Sequence, residues 1–227
     1  MADGSPLLSA DRVTSLMDPY NPGHFRQGIS GFAVRAMAGR LDAGEIEAEA
    51  SAQIRKVQSA GIVVSHIDTH KHTHMFPQVL RPLLRAAQAC GIRAIRNPFG
   101  WMAFSWIANR PKLWQRYGQV KVLNLLAGKF QQAVADAGIL TTDGSVGVVA
   151  TGTLDDRALH FILETLPEGT WEFVAHPGYN DVDLAGIQTR LRESREMERQ
   201  ILSRPETCEL LRREKIQLIS YRDLTSS

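Results

Sequence analysis

The sequence has little net charge, few cysteines and no long apolar run. Its 26 Lys and Arg against 24 Asp and Glu leave a formal charge of +2, so no strong field attracts nucleic acid. The two cysteines, Cys90 and Cys208, are too few for a disulfide framework and fit a reducing cytoplasm. No run approaches the roughly 18 apolar residues of a membrane-spanning helix, and Met1 to Ala10 does not resemble a signal peptide.

Several catalytic signatures are also missing. The chain has no Gly-x-Ser-x-Gly, no Gly-Lys-Ser/Thr phosphate loop and no His-Glu-x-x-His, which disfavours serine hydrolases, P-loop enzymes and zincin proteases. Apolar residues make up 44% and charged residues 22% of 227 residues, values typical of a soluble globular protein. We therefore expect a single domain over 1–227.

Strand-like and helical patterns alternate along the chain, which predicts an α/β fold with a mainly parallel sheet or barrel. The strand candidates are Ile62–Ile67, Arg93–Arg96, Val146–Thr151, Trp171–Ala175 and Ile216–Tyr221, and the helix candidates are Glu45–Ser59, Pro77–Cys90, Asp155–Leu166 and Leu184–Glu214. Residues 99–138 fit no clean pattern and are interpreted as a helical insertion. A closed barrel needs about seven or eight strands, and the candidates above number five, so we expect the barrel of this chain to be incomplete.

The segment from Ser65 to His74 carries four of the seven histidines and one carboxylate. His66, Asp68, His70, His72 and His74 alternate, so an extended chain would point all five side chains the same way, whereas a helix would align positions 66, 70 and 74. Imidazole and carboxylate are ligands of zinc and related divalent ions, which favours a metal site with one or two true ligands here. Solvated or mutually hydrogen-bonded histidines are the plainer alternative.

A second predicted strand ends in His176, followed by Pro-Gly turn chemistry and Tyr179. A histidine at a strand end can donate a proton to a leaving group, because its ordinary pKa lies near neutral pH. Arg96, at the end of another strand, is a weaker candidate for binding substrate or a site carboxylate. Asp155 is interpreted as a helix cap, and Arg190–Arg199 as a solvated helix face laced with ion pairs.

Three segments together resemble the YdjC-like carbohydrate deacetylases: His66-Ile-Asp-Thr-His-Lys-His-Thr-His-Met-Phe-Pro77, His176-Pro-Gly-Tyr-Asn-Asp181 and Ser220-Tyr-Arg-Asp223. Trp171–Asp181 and Thr189–Glu196 resemble the hopanoid-biosynthesis-associated HpnK branch most. The resemblance implies a distorted (β/α) barrel that uses Mg²⁺ or Zn²⁺ to hydrolyse the acetamide of an N-acetylated sugar, an N-acetylglucosaminyl hopanoid in that branch.

The resemblance also implies residue roles. His70 falls on the family's metal-binding histidine, and His176 on its strand-end acid. Asp68 is expected to be catalytic or to lie beside the metal ligand, whereas His66, His72, His74, Arg96 and Tyr179 are expected to bind substrate or support the site. The implied partners are an N-acetylated carbohydrate or glycolipid, with peripheral contact to membrane lipid and a homodimer as further expectations.

Two motifs of the family are missing from the sequence. Family members begin with a strand that ends in Asp-Asp-Phe-Gly, followed by a strand that ends in Gly-x-His-Leu. Neither motif is present in this sequence. The start of the chain resembles the segment after the second of these strands, so we expect the first two β/α units to be absent. The alternatives to a deacetylase are a truncated or degenerate carbohydrate-binding relative and a histidine-rich metal-binding protein.

Overall fold

The structure, a computed structural model, describes residues 4–26, 28–101, 107–108, 113–187 and 189–226. These residues fall into two compact units. The first unit comprises the described parts of 1–98, 125–141 and 220–227, and the second those of 99–124 and 142–219.

The described residues form α-helices, short 3₁₀-helices and two short strands. The α-helices are α1 (Ile29–Met37), α2 (Ala43–Ser59), α3 (Pro77–Ala89), α4 (Trp114–Leu123), α5 (Ala127–Asp136), α6 (Asp156–Glu164), α7 (Val182–Ala185), α8 (Glu193–Leu202), α9 (Pro205–Arg213) and α10 (Tyr221–Ser226). The strands are β1 (Gly144–Val146) and β2 (Trp171–Phe173), and the 3₁₀-helices are Ala10–Arg12, His70–Met75 and Asn124–Leu126. A search of the described helices for a bilayer-spanning segment of sufficient length and hydropathy finds none.

The predicted helices at 45–59, 77–90 and 155–166 are confirmed as α2, α3 and α6. Helix α2 begins where the Asp42 side chain accepts a hydrogen bond from the Glu45 N–H. Helix α6 begins where the Asp155 side chain accepts one from the Ala158 N–H, so the predicted Asp155 cap is confirmed. Apolar side chains at helical spacing bury one face of each helix, and α2 packs against α3 in the first unit.

Apart from an antiparallel bridge between Met17 and Phe25, the paired segments among the described residues run parallel in both units. In the first, Ile67 pairs with Ile95, and Ala94 pairs with Leu140. In the second, Gly100 pairs with Ser145, and β1 pairs with β2. This arrangement confirms the α/β class. The single-domain interpretation stays a prediction, and within the predicted insertion 99–138 the described residues form α4 and α5.

Several predicted elements were wrong in extent. Among the described residues, Ile67 alone of the predicted strand 62–67 pairs with another segment, and Ile62 and Val63 are 57% and 72% exposed. The predicted strand 216–221 is irregular up to α10, and the predicted strand 146–151 turns after Val146. A β-branched run becomes a strand only where another segment bonds its main chain, which local composition does not determine.

The predicted helix 184–214 is three helices, α7, α8 and α9. Pro205 occupies the first turn of α9, where its missing N–H costs nothing, whereas within a continuous helix it would remove a hydrogen bond. The sequence therefore carried the signal for this break.

A buried glutamate fixes the irregular start of the first unit. Glu49 of α2 is 0% exposed, and its carboxylate accepts hydrogen bonds from the N–H groups of Leu7 and Leu8 at 2.9 and 3.0 Å. Gln53, one turn later, donates to the same carboxylate at 2.8 Å. These donors satisfy a carboxylate that would otherwise be costly to bury, and they hold residues 7 and 8 against α2.

We expect Glu49→Ala to lower the free energy of unfolding by about 2–4 kcal/mol, because it leaves two main-chain donors unsatisfied. Urea denaturation followed by circular dichroism measures the change. The matched control is Glu47→Ala on the same helix, which removes a partly exposed ion pair with Arg85 and should cost at most about 1 kcal/mol. Equal losses in the two variants would contradict the assigned role of Glu49.

Candidate active site

The part of the histidine segment that follows the paired residue Ile67 adopts neither of the two expected geometries. Residues His70–Met75 form a 3₁₀-helix interrupted at Lys71 and His72, whose φ angles are 55° and 54°. This left-handed conformation costs a non-glycine residue roughly 1–2 kcal/mol. Such strain persists where surrounding contacts fix it, and it is often found at functional sites.

Asp68 is at the centre of the contacts in this segment. Arg96 Nη1 donates to its Oδ2, the Thr69 N–H donates to its Oδ1 at 2.7 Å, and His72 Nδ1 lies 3.5 Å from Oδ1. Burial alone would raise the pKa of Asp68, but the neighbouring His72 and the charge of Arg96 together hold that pKa below its ordinary value. Asp68 is therefore ionised at neutral pH.

His74 is fully enclosed, and both of its ring nitrogens bind protein atoms. Nε2 lies 3.0 Å from the Arg96 carbonyl oxygen, which can only accept, so Nε2 carries the proton. Nδ1 then accepts from the Thr69 hydroxyl at 2.7 Å, and the same hydroxyl oxygen accepts from the His74 N–H at 3.0 Å. Burial lowers the pKa of His74 to about 4, so this imidazole is neutral.

The remaining predicted residues of the first unit lie around this network. His70 is exposed, and with Asp68 and Thr69 it lines a cavity of about 170 Å³ whose opposite wall comes from α2 and α3. The His66 ring stacks on Tyr221 of α10, with 3.9 Å between the ring centroids. The sequence predicted that the histidines cluster, but it did not predict that each of them has different surroundings.

The divalent metal that the family resemblance implies needs several ligands that converge on one point. Among the residues that the structure describes, no three His, Cys, Asp or Glu side chains are arranged to share an ion. His74 uses both nitrogens within the protein, and Asp68 is paired with Arg96. His70 is one potential ligand, so the described residues do not fit a resident metal of the usual three protein ligands.

His176 and Tyr179 belong to the second unit. His176 follows β2, and its main-chain N–H donates to Glu198 Oε2 of α8 at 2.5 Å. Tyr179 is 66% exposed, with the Arg199 guanidinium 4.5 Å from its ring centroid. The interpretation of 190–199 as a solvated face missed Glu198, which is 1% exposed. Its spacing of three from the buried Ile201 was the available signal.

Comparison with known proteins identifies the family. A family model described as "YdjC-like protein" matches residues 1–213 of the chain. The chain belongs to the YdjC-like family. The resemblance noted in the sequence is thereby confirmed at family level, whereas assignment to the HpnK branch stays a prediction.

The chain is similar to several proteins named carbohydrate deacetylase. One from Thermoanaerobacter pseudethanolicus is 25% identical over 218 residues, covering 96% of this chain and 72% of the relative. One from Listeria monocytogenes serotype 4a is 28% identical over 222 residues, covering 97% and 74%, and one from Homo sapiens is 28% identical over 198 residues, covering 82% and 59%. The chain thus spans between about three fifths and three quarters of these relatives. They confirm the predicted assignment to a carbohydrate deacetylase family.

A solved structure has the same fold. It is a protein from Enterococcus faecalis described as a cellobiose-phosphate cleavage protein, with a TM-score of 0.70 and 22% identity. The alignment covers 97% of this YdjC-like chain and 72% of that one. At this identity the similarity supports the α/β fold alone.

The enclosed His74 generates a prediction about acid stability. Its native pKa of about 4 lies below the ordinary 6.5, so the unfolded chain binds a proton more tightly and stability is lost as pH falls from about 6.5 to 4. The expected loss is on the order of 3 kcal/mol. The lowered pKa of Asp68 acts in the same direction, but only below its ordinary pKa near 4.

Urea denaturation at intervals between pH 7 and pH 4 measures this loss. A His74→Asn variant should be less stable at pH 7 and show a flatter dependence on pH. The control His160→Gln, at an exposed position of α6, should keep the wild-type slope. A wild-type slope in His74→Asn would contradict the assignment.

Proposed function

We propose that this chain removes the acetyl group from N-acetylated sugars by hydrolysis. The observation that carries the proposal is the ordered set Asp68, Arg96 and His74 at the end of a parallel pairing, with ionised Asp68 beside exposed His70 on a cavity. Carboxyl ends of parallel strands are where α/β proteins hold their reactive groups. Membership of the YdjC-like family and relatives named carbohydrate deacetylase support this reading.

The reaction is the hydrolysis of an amide. Water oxygen adds to the acetyl carbonyl carbon, the carbon–nitrogen bond breaks, and the products are acetate and an amino sugar. His176 is proposed to donate the proton that the departing nitrogen needs, since an unassisted amine anion is a poor leaving group. Asp68 is proposed to accept hydrogen bonds or a proton on the water side, and its lowered pKa keeps it in the required ionised form.

Two buried or paired groups have supporting roles in this proposal. His74 and Arg96 hold Asp68 and the strained turn at Lys71 and His72 in one conformation, while His66, His72 and Tyr179 are proposed to contact substrate or its immediate surroundings. Dependence on Mg²⁺ or Zn²⁺, with His70 as a ligand, is an expectation of the resemblance that the described residues do not fit. The roles above therefore rest on protein groups alone.

Within this class we propose an N-acetylglucosaminyl hopanoid as substrate. The support is the resemblance of Trp171–Asp181 and Thr189–Glu196 to the hopanoid-associated branch. A lipid-linked sugar would bring the chain to a membrane surface from the cytoplasm. Closure of the parallel strands into a distorted barrel and a homodimer stay predictions.

The proposal is tested by measuring acetate release from an N-acetylglucosaminyl lipid and from N,N′-diacetylchitobiose, with and without added Mg²⁺ or Zn²⁺. We expect release by the wild-type chain, faster with the lipid-linked sugar. His176→Gln should lower kcat by about 100-fold or more, because positioned acids contribute about 10²–10⁴-fold. His160→Gln, at an exposed position in the same unit, is the matched control and should keep wild-type kcat.

Four outcomes would contradict parts of the proposal. No acetate from either sugar under any metal condition would reject the activity, and sugar binding without release would favour the carbohydrate-binding alternative. Metal binding without sugar binding would favour the metal-binding alternative. Equal kcat for wild type and His176→Gln would reject the acid role of His176.

A further inference from the structure

The loop His176–Asn180, here called the His176 loop, carries two of the proposed functional residues yet has no regular structure. It follows β2 and reads His-Pro-Gly-Tyr-Asn. Its main-chain donors have no strand or helix of their own to bind, so its conformation depends on partners elsewhere in the second unit.

Helix α8 supplies these partners along the loop. Glu198 Oε2 accepts from the His176 N–H at 2.5 Å, and the Arg195 carbonyl accepts from the Gly178 N–H at 3.1 Å. The Arg199 guanidinium lies over the Tyr179 ring at 4.5 Å. One helix therefore contacts three of the first four residues of the loop.

The side chains of α8 are themselves held in place. Arg199 donates to Glu196 at 2.5 Å, one turn earlier on the helix, and Glu196 also receives a main-chain hydrogen bond from Asn180. The Glu196 carboxylate and the Tyr179 ring thus hold the Arg199 guanidinium between them. The guanidinium is therefore less mobile than that of a solvated arginine.

Glu198 is the unusual member of this set because its carboxylate is almost fully enclosed. A buried carboxylate is costly unless it is hydrogen-bonded, and here it binds the main chain of the one residue proposed as the acid. A shift of that main chain would displace the attached imidazole, and displacements of about 1 Å can cost 10²-fold in rate.

We propose that Glu198 is a positioning residue for the YdjC-like reaction, holding His176 at its main-chain N–H so that the imidazole is correctly placed. The inference rests on the proposed function, in which His176 is the acid. It assigns Glu198 no contact with substrate. The interaction requires an oxygen atom on the side chain at position 198 that lies at the right distance to accept from the His176 N–H. The negative charge of the Glu198 carboxylate matters less.

Two conservative variants separate the effect of the length of the Glu198 side chain from the effect of its charge. Glu198→Gln keeps the length and an acceptor oxygen but removes the charge, whereas Glu198→Asp keeps the charge and withdraws the acceptor by one methylene group. We expect Glu198→Asp to lower kcat for acetate release by about 10-fold or more with KM within about twofold, and Glu198→Gln to retain most of the activity. Glu193→Ala, an exposed position on α8, is the matched control.

A second readout needs no substrate. In two-dimensional ¹³C–¹H spectra of histidine-labelled protein, we expect the His176 ring signals to move in Glu198→Asp and to stay near wild type in Glu198→Gln and Glu193→Ala. A thermal melt of each variant establishes that it is folded.

The outcomes are separable. Wild-type kcat in Glu198→Asp, or equal losses in Glu198→Asp and Glu198→Gln, would overturn the proposal. If the wild-type chain itself releases no acetate, the proposed function fails, and the spectra then decide the positioning claim alone. Unmoved His176 signals in Glu198→Asp would overturn it in that case, and moved signals would support it.

Discussion

Hydrogen bonds from main-chain N–H groups to two enclosed glutamates fix two irregular segments of this chain. Glu49 on α2 binds residues 7 and 8 in the first unit, and Glu198 on α8 binds His176 in the second. Strands in the described residues are short, so many main-chain donors lie outside any ladder and need side-chain acceptors. A carboxylate on a rigid helix provides such an acceptor without adding an element to the sheet.

In the histidine segment, side chains other than glutamate fix an irregular stretch of main chain. Thr69 and the main-chain carbonyl of Arg96 bind the two nitrogens of His74, and Asp68 binds the Arg96 side chain. These contacts hold a turn in which two successive residues have positive φ. Of the four clustered histidines, His74 is therefore committed to holding the backbone, while exposed His70 faces a cavity. Proximity in sequence does not give these residues one common role.

Local signals predicted α2, α3 and α6, because caps and apolar spacing depend on neighbours in sequence, but they did not divide 184–214 into α7, α8 and α9. Asp155 caps α6 as predicted, and the structure adds a second cap, Asp42 of α2. The predicted strands at 62–67 and 216–221 were wrong in extent because pairing depends on segments far away in the chain, which composition does not show. Glu198 was missed because a run of mixed charges is typical of a solvated face, although its spacing of three from the buried Ile201 placed it on the buried side of α8.

If carboxylates carried by helices fix the irregular segments, amide hydrogen exchange followed by ¹⁵N NMR should show it. We expect the amides of Leu7, Leu8 and His176 to exchange about as slowly as amides within α2 and α8, although they lie in no regular element. Exchange of these three amides at the rate of an unstructured peptide, while the helices remain protected, would contradict it.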